Sequence, residues 1–234
     1  MPAALLAELE HSARAHGFDL FGVVDAQRFD AAQPVENRCS RLLPDCGTAI
    51  VVGRGGPDKF DGRALAELGR VLRQRGLRVR VASPLRSSIS FACLGEAAGL
   101  GIVSPVIHRL LHPQFGPWVT VHGVLLVSGR PFGPIADASI AETFHPCCKC
   151  HRPCVEACPA EVHDGHGESD FGRCHEHRHA GGCGDACLVV RACPIGSGQR
   201  VEAAREADRH RDESRLLAVR HAHGFWAWFW RLWR

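Results

Sequence analysis

The chain has 234 residues, a formal net charge of +3 at pH 7, 45% hydrophobic and 23% charged residues. That length allows one substantial core and a small appended module, and so small a charge with no localised basic cluster leaves nucleic acid outside the expected partners. No apolar run approaches the ~20 residues of a membrane span, and no signal peptide is apparent, so a cytoplasmic location is expected.

From the N-terminus, residues 3–16 read as an amphipathic helix, with Leu5, Leu6, Leu9 and Ala13 at helical spacing and Gly17 placed to end it. Residues 18–24 read as a strand, and a loop of mixed polarity is expected through Pro34 and Cys39. The β-branched run 48–53 predicts a short buried strand, with Gly53, Gly55 and Gly56 opening a turn. Gly53-Arg54-Gly55-Gly56 lacks both the lysine and the spacing of a phosphate-cradling loop. A helix over 63–74, a strand over 77–82, a polar loop over 83–90 and a short helix over 91–98 stopped by Gly99 follow. Residues 118–127 carry the longest strand signal, ending in Val124-Leu125-Leu126-Val127, which belongs in the middle of a sheet. Just before it, 112–118 form a loop stiffened by Pro113 and Pro117. Residues 130–144 read as a linker, and 201–221 as a polar, largely solvated helix. Six aromatic residues between Phe225 and Trp233 could dock in a membrane interface or on a partner, or fold back over the protein. The division expected is 1–140, 141–200 and 201–234.

Nine of the twelve cysteines fall between Pro146 and Pro194, in two runs that both end in Cys-Pro. A two-cluster ferredoxin run is three near thiolates holding one iron–sulfur cube, followed by a Cys-Pro whose sulfur reaches the other cube. Applied here, Cys147, Cys150 and Cys154 with Cys193 hold one cluster, and Cys174, Cys183 and Cys187 with Cys158 hold the second. Cys148 is either spare or the true first ligand. The second run is wider spaced than the ferredoxin pattern, and many histidines surround both runs (His145, His151, His163, His166, His175, His177, His179). A zinc site is therefore an alternative, although zinc typically takes paired C-x₂-C ligands and has no use for the terminal Cys-Pro. A disulfide scaffold fits a cytosolic chain poorly. Elsewhere, Cys93 reads as a small buried apolar residue, and Cys39 and Cys46 flank a loop with nothing nearby to activate them.

Gly95-Glu96-Ala97-Ala98-Gly99-Leu100-Gly101, Leu111-His112-Pro113-Gln114-Phe115-Gly116-Pro117-Trp118 and Gly123-Val124-Leu125-Leu126 resemble the corrinoid-binding core of the epoxyqueuosine reductases. The last two segments are also similar to the CblC-type cobalamin-processing proteins, which share a fold related to the flavin nitroreductases. With both cysteine runs included, the resemblance covers roughly residues 15–200. It implies an α+β protein: a nitroreductase-like α/β domain binding a corrinoid or a flavin, then a two-[4Fe-4S] ferredoxin-like module and a C-terminal helix. By the resemblance, His112, Phe115, Gly116 and Trp118 lie at the cofactor, a corrinoid such as cobalamin or else a flavin, and the two clusters supply its electrons. His108 and His122 lie near the same face, with a structural role as the default. Three features set the chain apart from the reductases. Leu85 stands where that family has an acidic proton donor, Ile102-Val103-Ser104-Pro105-Val106 replaces its lysine and tryptophan, and its tRNA-engaging helical-repeat domain has no counterpart, so tRNA is not the expected substrate. The CblC-type proteins in turn lack ferredoxin cysteines. The resulting expectation is an iron–sulfur oxidoreductase partnered by an unidentified electron donor or acceptor protein. An electron carrier with a cofactor-free docking domain and a zinc-stabilised interaction protein are the alternatives.

Overall fold

The computed structural model describes residues 2–56, 62–84, 87, 89–200 and 203–221. Leu85 and the aromatic tail, 225–234, lie outside them. The chain divides into two compact units: residues 1–55, 60–102 and 119–144 make one, and residues 56–59, 103–118 and 145–234 the other.

The first unit begins with helix α1 (Pro2–Ala15), whose Leu9 and Ala13 are buried and which ends at Gly17 with φ +79°, a conformation that glycine adopts without a Cβ penalty. Strand β1 (Leu20–Asp25) follows. The stretch expected to be a loop then opens with helix α2 (Ala26–Ala31), because the Asp25 carboxylate accepts hydrogen bonds from the backbone N–H groups of Gln27 and Arg28, both at 3.1 Å. That cap satisfies donors that a six-residue helix cannot bond internally. Strand β2 (Cys46–Gly55) runs further than the β-branched residues suggest. Gly53 and Gly55 belong to the strand and open no turn; a Cβ on Gly53 would come within 2.6 Å of the Thr120 carbonyl oxygen. Helix α3 (Gly62–Gln74), strand β3 (Val79–Ala82) and helix α4 (Phe91–Ala97) come next, α4 capped by the Ser90 hydroxyl accepting from the Cys93 N–H. The short strand β4 (Ile102–Val103) leads away, and β6 (Val119–Ser128) returns after β5 (Leu110–Leu111).

Strands β1, β2, β6 and β3 form one sheet in that order, every pairing antiparallel. β6 is internal to it, as its apolar run requires. Alternation sorts the side chains. Ile50, Val52, Leu125 and Val127 pack with Leu9, Leu65, Leu68 and Leu72 of α1 and α3 into one core. Ala49, Val51, Val124 and Leu126, also buried, face the other way, towards α2 and α4, which contact β2 and β6 respectively.

The second unit holds residues 103–118 and helices α5 (Pro153–Glu156), α6 (Phe171–His179), α7 (Leu188–Ala192) and α8 (Ala203–His221). α5 packs on α7 and α6 on α8. Among the described residues, no helix is long and apolar enough to cross a membrane.

One close approach in the first unit is diagnostic. Gly22 of β1 lies against the end of α4, where an added Cβ would sit 2.6 Å from the Ala98 carbonyl oxygen and 2.8 Å from its Cβ. Backbone cannot yield as a side chain tip can, so Gly22→Ala should destabilise the protein by about 1–3 kcal/mol. Chemical denaturation would show the loss as a lower midpoint at unchanged slope.

Candidate metal centre

Each cysteine run is shaped by a short helix. In the first, Pro153 opens α5, its missing N–H falling where a helix start needs none. Arg152 before it is left-handed at φ +57° and donates its N–H to Cys150 Sγ at 3.4 Å. In the second run, Asp170 caps α6 by accepting from the Arg173 N–H, and Cys174 lies on that helix. Cys183 is left-handed at φ +63°, and Cys187 stands at the start of α7, with Cys193 at its end. All four non-glycine residues with positive φ among the described residues, His108, Arg152, Glu161 and Cys183, belong to this unit. Such backbone persists only where its surroundings over-determine it.

The contact of α5 with α7 brings the two runs together. Cys147, Cys150 and Cys154 of the first run and Cys193 of the second line one partly open cavity, whose empty space of about 340 Å³ includes its solvent-filled mouth. Its remaining wall is largely apolar and includes Val106, Ile107, Leu111 and Ile195. Ser104 Oγ lies 3.4 Å from Cys147 Sγ. Cys148 is exposed and does not line this cavity. Burial pushes the Cys193 thiol up to about 11, with the neighbouring Cys154, Cys147 and Cys150 adding to the rise. Burial and the same neighbours, Cys147 and Cys150, raise Cys154.

The other four cysteines also sense one another. Burial raises the Cys174 thiol, Arg178 opposes it, and Cys187 and Cys158 raise it further. Cys183 is raised by burial and by Cys187, Cys174 and Cys158. Cys158 is buried, and its sulfur accepts from the Val162 N–H at 3.5 Å. Cys154 and Cys193 beside the first cavity, and Cys174 and Cys183 in the second run, therefore ionise at a raised cost among their neighbours. A bound cation relieves that cost, because a thiolate donor set couples deprotonation to metal binding. Among the described residues, no group of three or more His, Cys, Asp or Glu side chains is placed to hold a metal ion; the first set stands around a cavity and does not converge on a point.

Residues 103–118 supply the rest of this unit. A Cβ on Gly116 (φ +55°) would lie 1.9 Å from the Ile195 carbonyl oxygen, and one on Gly196 (φ +68°) would lie 2.3 Å from the Phe115 carbonyl carbon. Two glycines thus let the 112–118 loop seat its backbone directly on the turn that follows Cys193-Pro194. His112 Nδ1 accepts from the Gln114 and Phe115 N–H groups at 3.1 and 3.3 Å, bracing the same loop. Trp118 is 1% exposed and shares a cavity with Cys187, Glu206, Arg209 and Glu213. His122 is buried in β6 with its ring 5.6 Å from that of Phe18.

Helix α8 departs from the solvated helix expected. Glu206 and His210 are buried, and Glu213 accepts two hydrogen bonds from Arg109 at 2.6 and 2.7 Å and one from Arg209 at 2.9 Å. Burial opposes ionisation of Glu213, but Arg109, Arg209 and Arg178 together hold its carboxyl well below the usual carboxylate range. Residues 206, 209, 210 and 213 recur at the spacing of a buried helix face, and only their polarity hides that face from a hydrophobicity reading. Cys39 and Cys46, in the first unit, are both buried; the neighbouring Cys46 and burial push the Cys39 thiol up strongly, so Cys39 is inert as a nucleophile. Cys93 is only partly buried.

No protein-family model matches the chain. No curated protein matches it in sequence. Solved structures do. The fold is similar to that of an epoxyqueuosine reductase (TM-score 0.66, 17% identity, 88% of this chain and 69% of the other) and of the Bacillus subtilis epoxyqueuosine reductase (0.64, 17%, 87% and 68%). It is also similar to a reductive dehalogenase whose structure suggests a mechanism for B12-dependent dehalogenation (0.60, 19%, 92% and 36%). The chain spans about a third of the dehalogenase's length. At these identities the likeness establishes a shared mixed α and β fold.

One titrating group near the cysteines is open to test. His163 is buried, with Nδ1 2.7 Å from Ser169 Oγ and its ring 6.0 Å from that of Phe171. Burial, then the nearby His108 and Arg109, lower its pKa to about 4. Above pH 6.5 it is neutral folded or unfolded. Between pH 6.5 and 4 the unfolded chain takes up a proton that the folded one refuses, so stability falls as the pH falls, by about 3 kcal/mol in all. Thermal melts across that range should be flatter for His163→Gln than for the parent protein.

Proposed function

We propose that the chain is an iron–sulfur oxidoreductase that holds two [4Fe-4S] clusters in residues 141–200 and passes their electrons to cobalamin bound by residues 1–140. Cys147, Cys150, Cys154 and Cys193 hold the first cluster; Cys174, Cys183, Cys187 and Cys158 hold the second. The observation that carries the reading is the cavity shared by three cysteines of the first run and the Cys-Pro cysteine of the second. Thiolates on one zinc ion stand about 4 Å apart, whereas the iron and sulfide of a cube keep its ligands farther apart and need room between them. The apolar wall of Val106, Ile107, Leu111 and Ile195 limits polar contact with that partly open space, a condition that favours low reduction potentials. The position of Cys147 on the cavity, with Cys148 exposed, favours Cys147 as the first ligand.

Cobalamin, when bound, supplies a metal centre that low-potential electrons can reduce. The residues at its edge in this reading are His112, Phe115, Gly116 and Trp118. Gly116 and Trp118 already pack within their own unit, which leaves the partly exposed His112 and Phe115 side chains to make contact. The shared fold with reductases, one of them linked to B12, supports redox chemistry over a docking role. In this reading the partner is an unidentified electron donor or acceptor protein.

Anaerobically purified protein should be brown, with about eight irons per chain. Cys158→Ala should retain about half of them and lose the cluster held mainly by the second run; Cys193→Ala should lose the other. Colourless protein carrying zinc would overturn the reading, and loss of the first cluster in Cys158→Ala would overturn the ligand assignment. Titration with cobalamin should give saturable quenching of tryptophan fluorescence. Clusters without any such binding would leave only electron carriage.

A further inference from the structure

The charged residues beside Cys187 are unevenly balanced. Glu213 is bonded to Arg109 and Arg209 and lies 3.6 Å from Arg178. The side chains of Arg109, Arg178 and Arg209 are 26%, 5% and 12% exposed, and that of Glu213 20%. Three guanidinium groups meet one carboxylate, with Asp185 the further acid acting on His210 beside them, and this leaves an excess of positive charge where water screens it weakly. Nearby Glu206 is engaged by Arg191 at 2.7 Å, and burial lowers the pKa of His210, keeping it neutral at pH 7. Arg209 donates Nη2 to the Pro117 carbonyl oxygen at 2.9 Å, but its Nη1 is buried with no hydrogen-bond partner. An unmet buried donor is costly, and the cavity that Arg209 lines also contains Cys187. The charge around the first four cysteines is different. The one arginine on their cavity, Arg152, gives its Nη1 to the Gly165 carbonyl oxygen.

Resting on the two-cluster reading above, we propose that Arg109, Arg178 and Arg209 tune the second set of cysteines, making the cluster there the more readily reduced of the two. An electron entering a cluster adds one negative charge, and breaks no bond and moves no proton. Nearby cations and a hydrogen bond to sulfur stabilise that added charge and raise the potential. Electrons from a one-electron donor therefore come to rest first beside Cys187, and the cluster of Cys147, Cys150, Cys154 and Cys193 is the stronger reductant. The arginines are positioning residues. They touch no substrate and act only on the potential.

The test is a dithionite titration of the anaerobically reconstituted full chain with redox mediators, followed by electron paramagnetic resonance. Two midpoints are expected. Arg209→Met should lower the higher one by a tenfold change in the reduction equilibrium, about 59 mV for one electron, and leave the lower one in place. Glu213→Gln should raise the higher one, and Arg209→Lys should move it less than Arg209→Met. Two midpoints that move together, or neither moving, would overturn the proposal. If the arginine variants fail to hold iron, Cys158→Ala decides: its surviving cluster must show the lower wild-type midpoint, and survival of the higher one rejects the proposal. A wild-type chain without iron ends the two-cluster reading and this inference with it. About eight irons with the order of potentials reversed end this inference alone.

Discussion

The second unit depends on one carboxylate. Glu213 of α8 binds Arg109 from the 103–118 segment and Arg209 from its own helix, with Arg178 of α6 beside them. Three stretches far apart in sequence meet there. A charge this enclosed is tolerable only because its partners meet it with good geometry, and removing one partner from such a pair typically costs about 3–5 kcal/mol. The network thus does for this unit what the apolar core of α1, α3, β2 and β6 does for the other. The two solutions follow from composition. The first unit has enough Leu, Ile and Val to fill a sheet–helix layer, while the second is assembled from short helices around cysteines and has few large apolar side chains to spare.

Glycine has a related role wherever backbone must approach backbone. Gly22 admits the end of α4 onto β1, and Gly116 with Gly196 admits the 112–118 loop onto the turn after Cys193-Pro194. The second contact matters more for function, since it ties the placement of a cysteine to a loop far earlier in the chain. The proline after Cys193 has no N–H to donate and a fixed φ, so the turn is stiff on one side and pinned on the other. A sulfur placed by two such constraints keeps its position whether or not its thiol is ionised.

Much of this architecture is legible in the sequence because it follows period and punctuation. The apolar run of β6, the helical spacing of α1 and α3, and the stop at Gly99 correspond closely to the structure. The pairing of the two runs is legible in part: Cys147, Cys150, Cys154 and Cys193 line one cavity, as the Cys-Pro ending suggests for the first run and the last cysteine of the second. What the sequence hides has physical causes. α2 is too short to show a period, and only the Asp25 cap reveals it. β2 extends through glycines that usually signal a turn, and at Gly53 the neighbouring strand comes too close for a side chain. The buried face of α8 is written in Glu206, Arg209, His210 and Glu213, residues that hydrophobic patterning assigns to solvent. Nothing local marks residues 103–118 as part of the cysteine-bearing unit; that assignment depends on Arg109 and Gly116, whose partners lie far downstream.

The interleaving of 103–118 with the cysteine runs limits how the protein can be dissected. A fragment beginning at His145 would keep all nine clustered cysteines yet lack Arg109, the wall formed by Val106, Ile107 and Leu111, and the indole of Trp118. Its carboxylate at position 213 would lose its bidentate partner, and the turn after Pro194 would lose the backbone that covers it. Domain swapping or modular reuse of this region by recombination would therefore have to carry two separate pieces of gene, which makes the cysteine module heritable only together with the one sheet strand, β6, encoded between them.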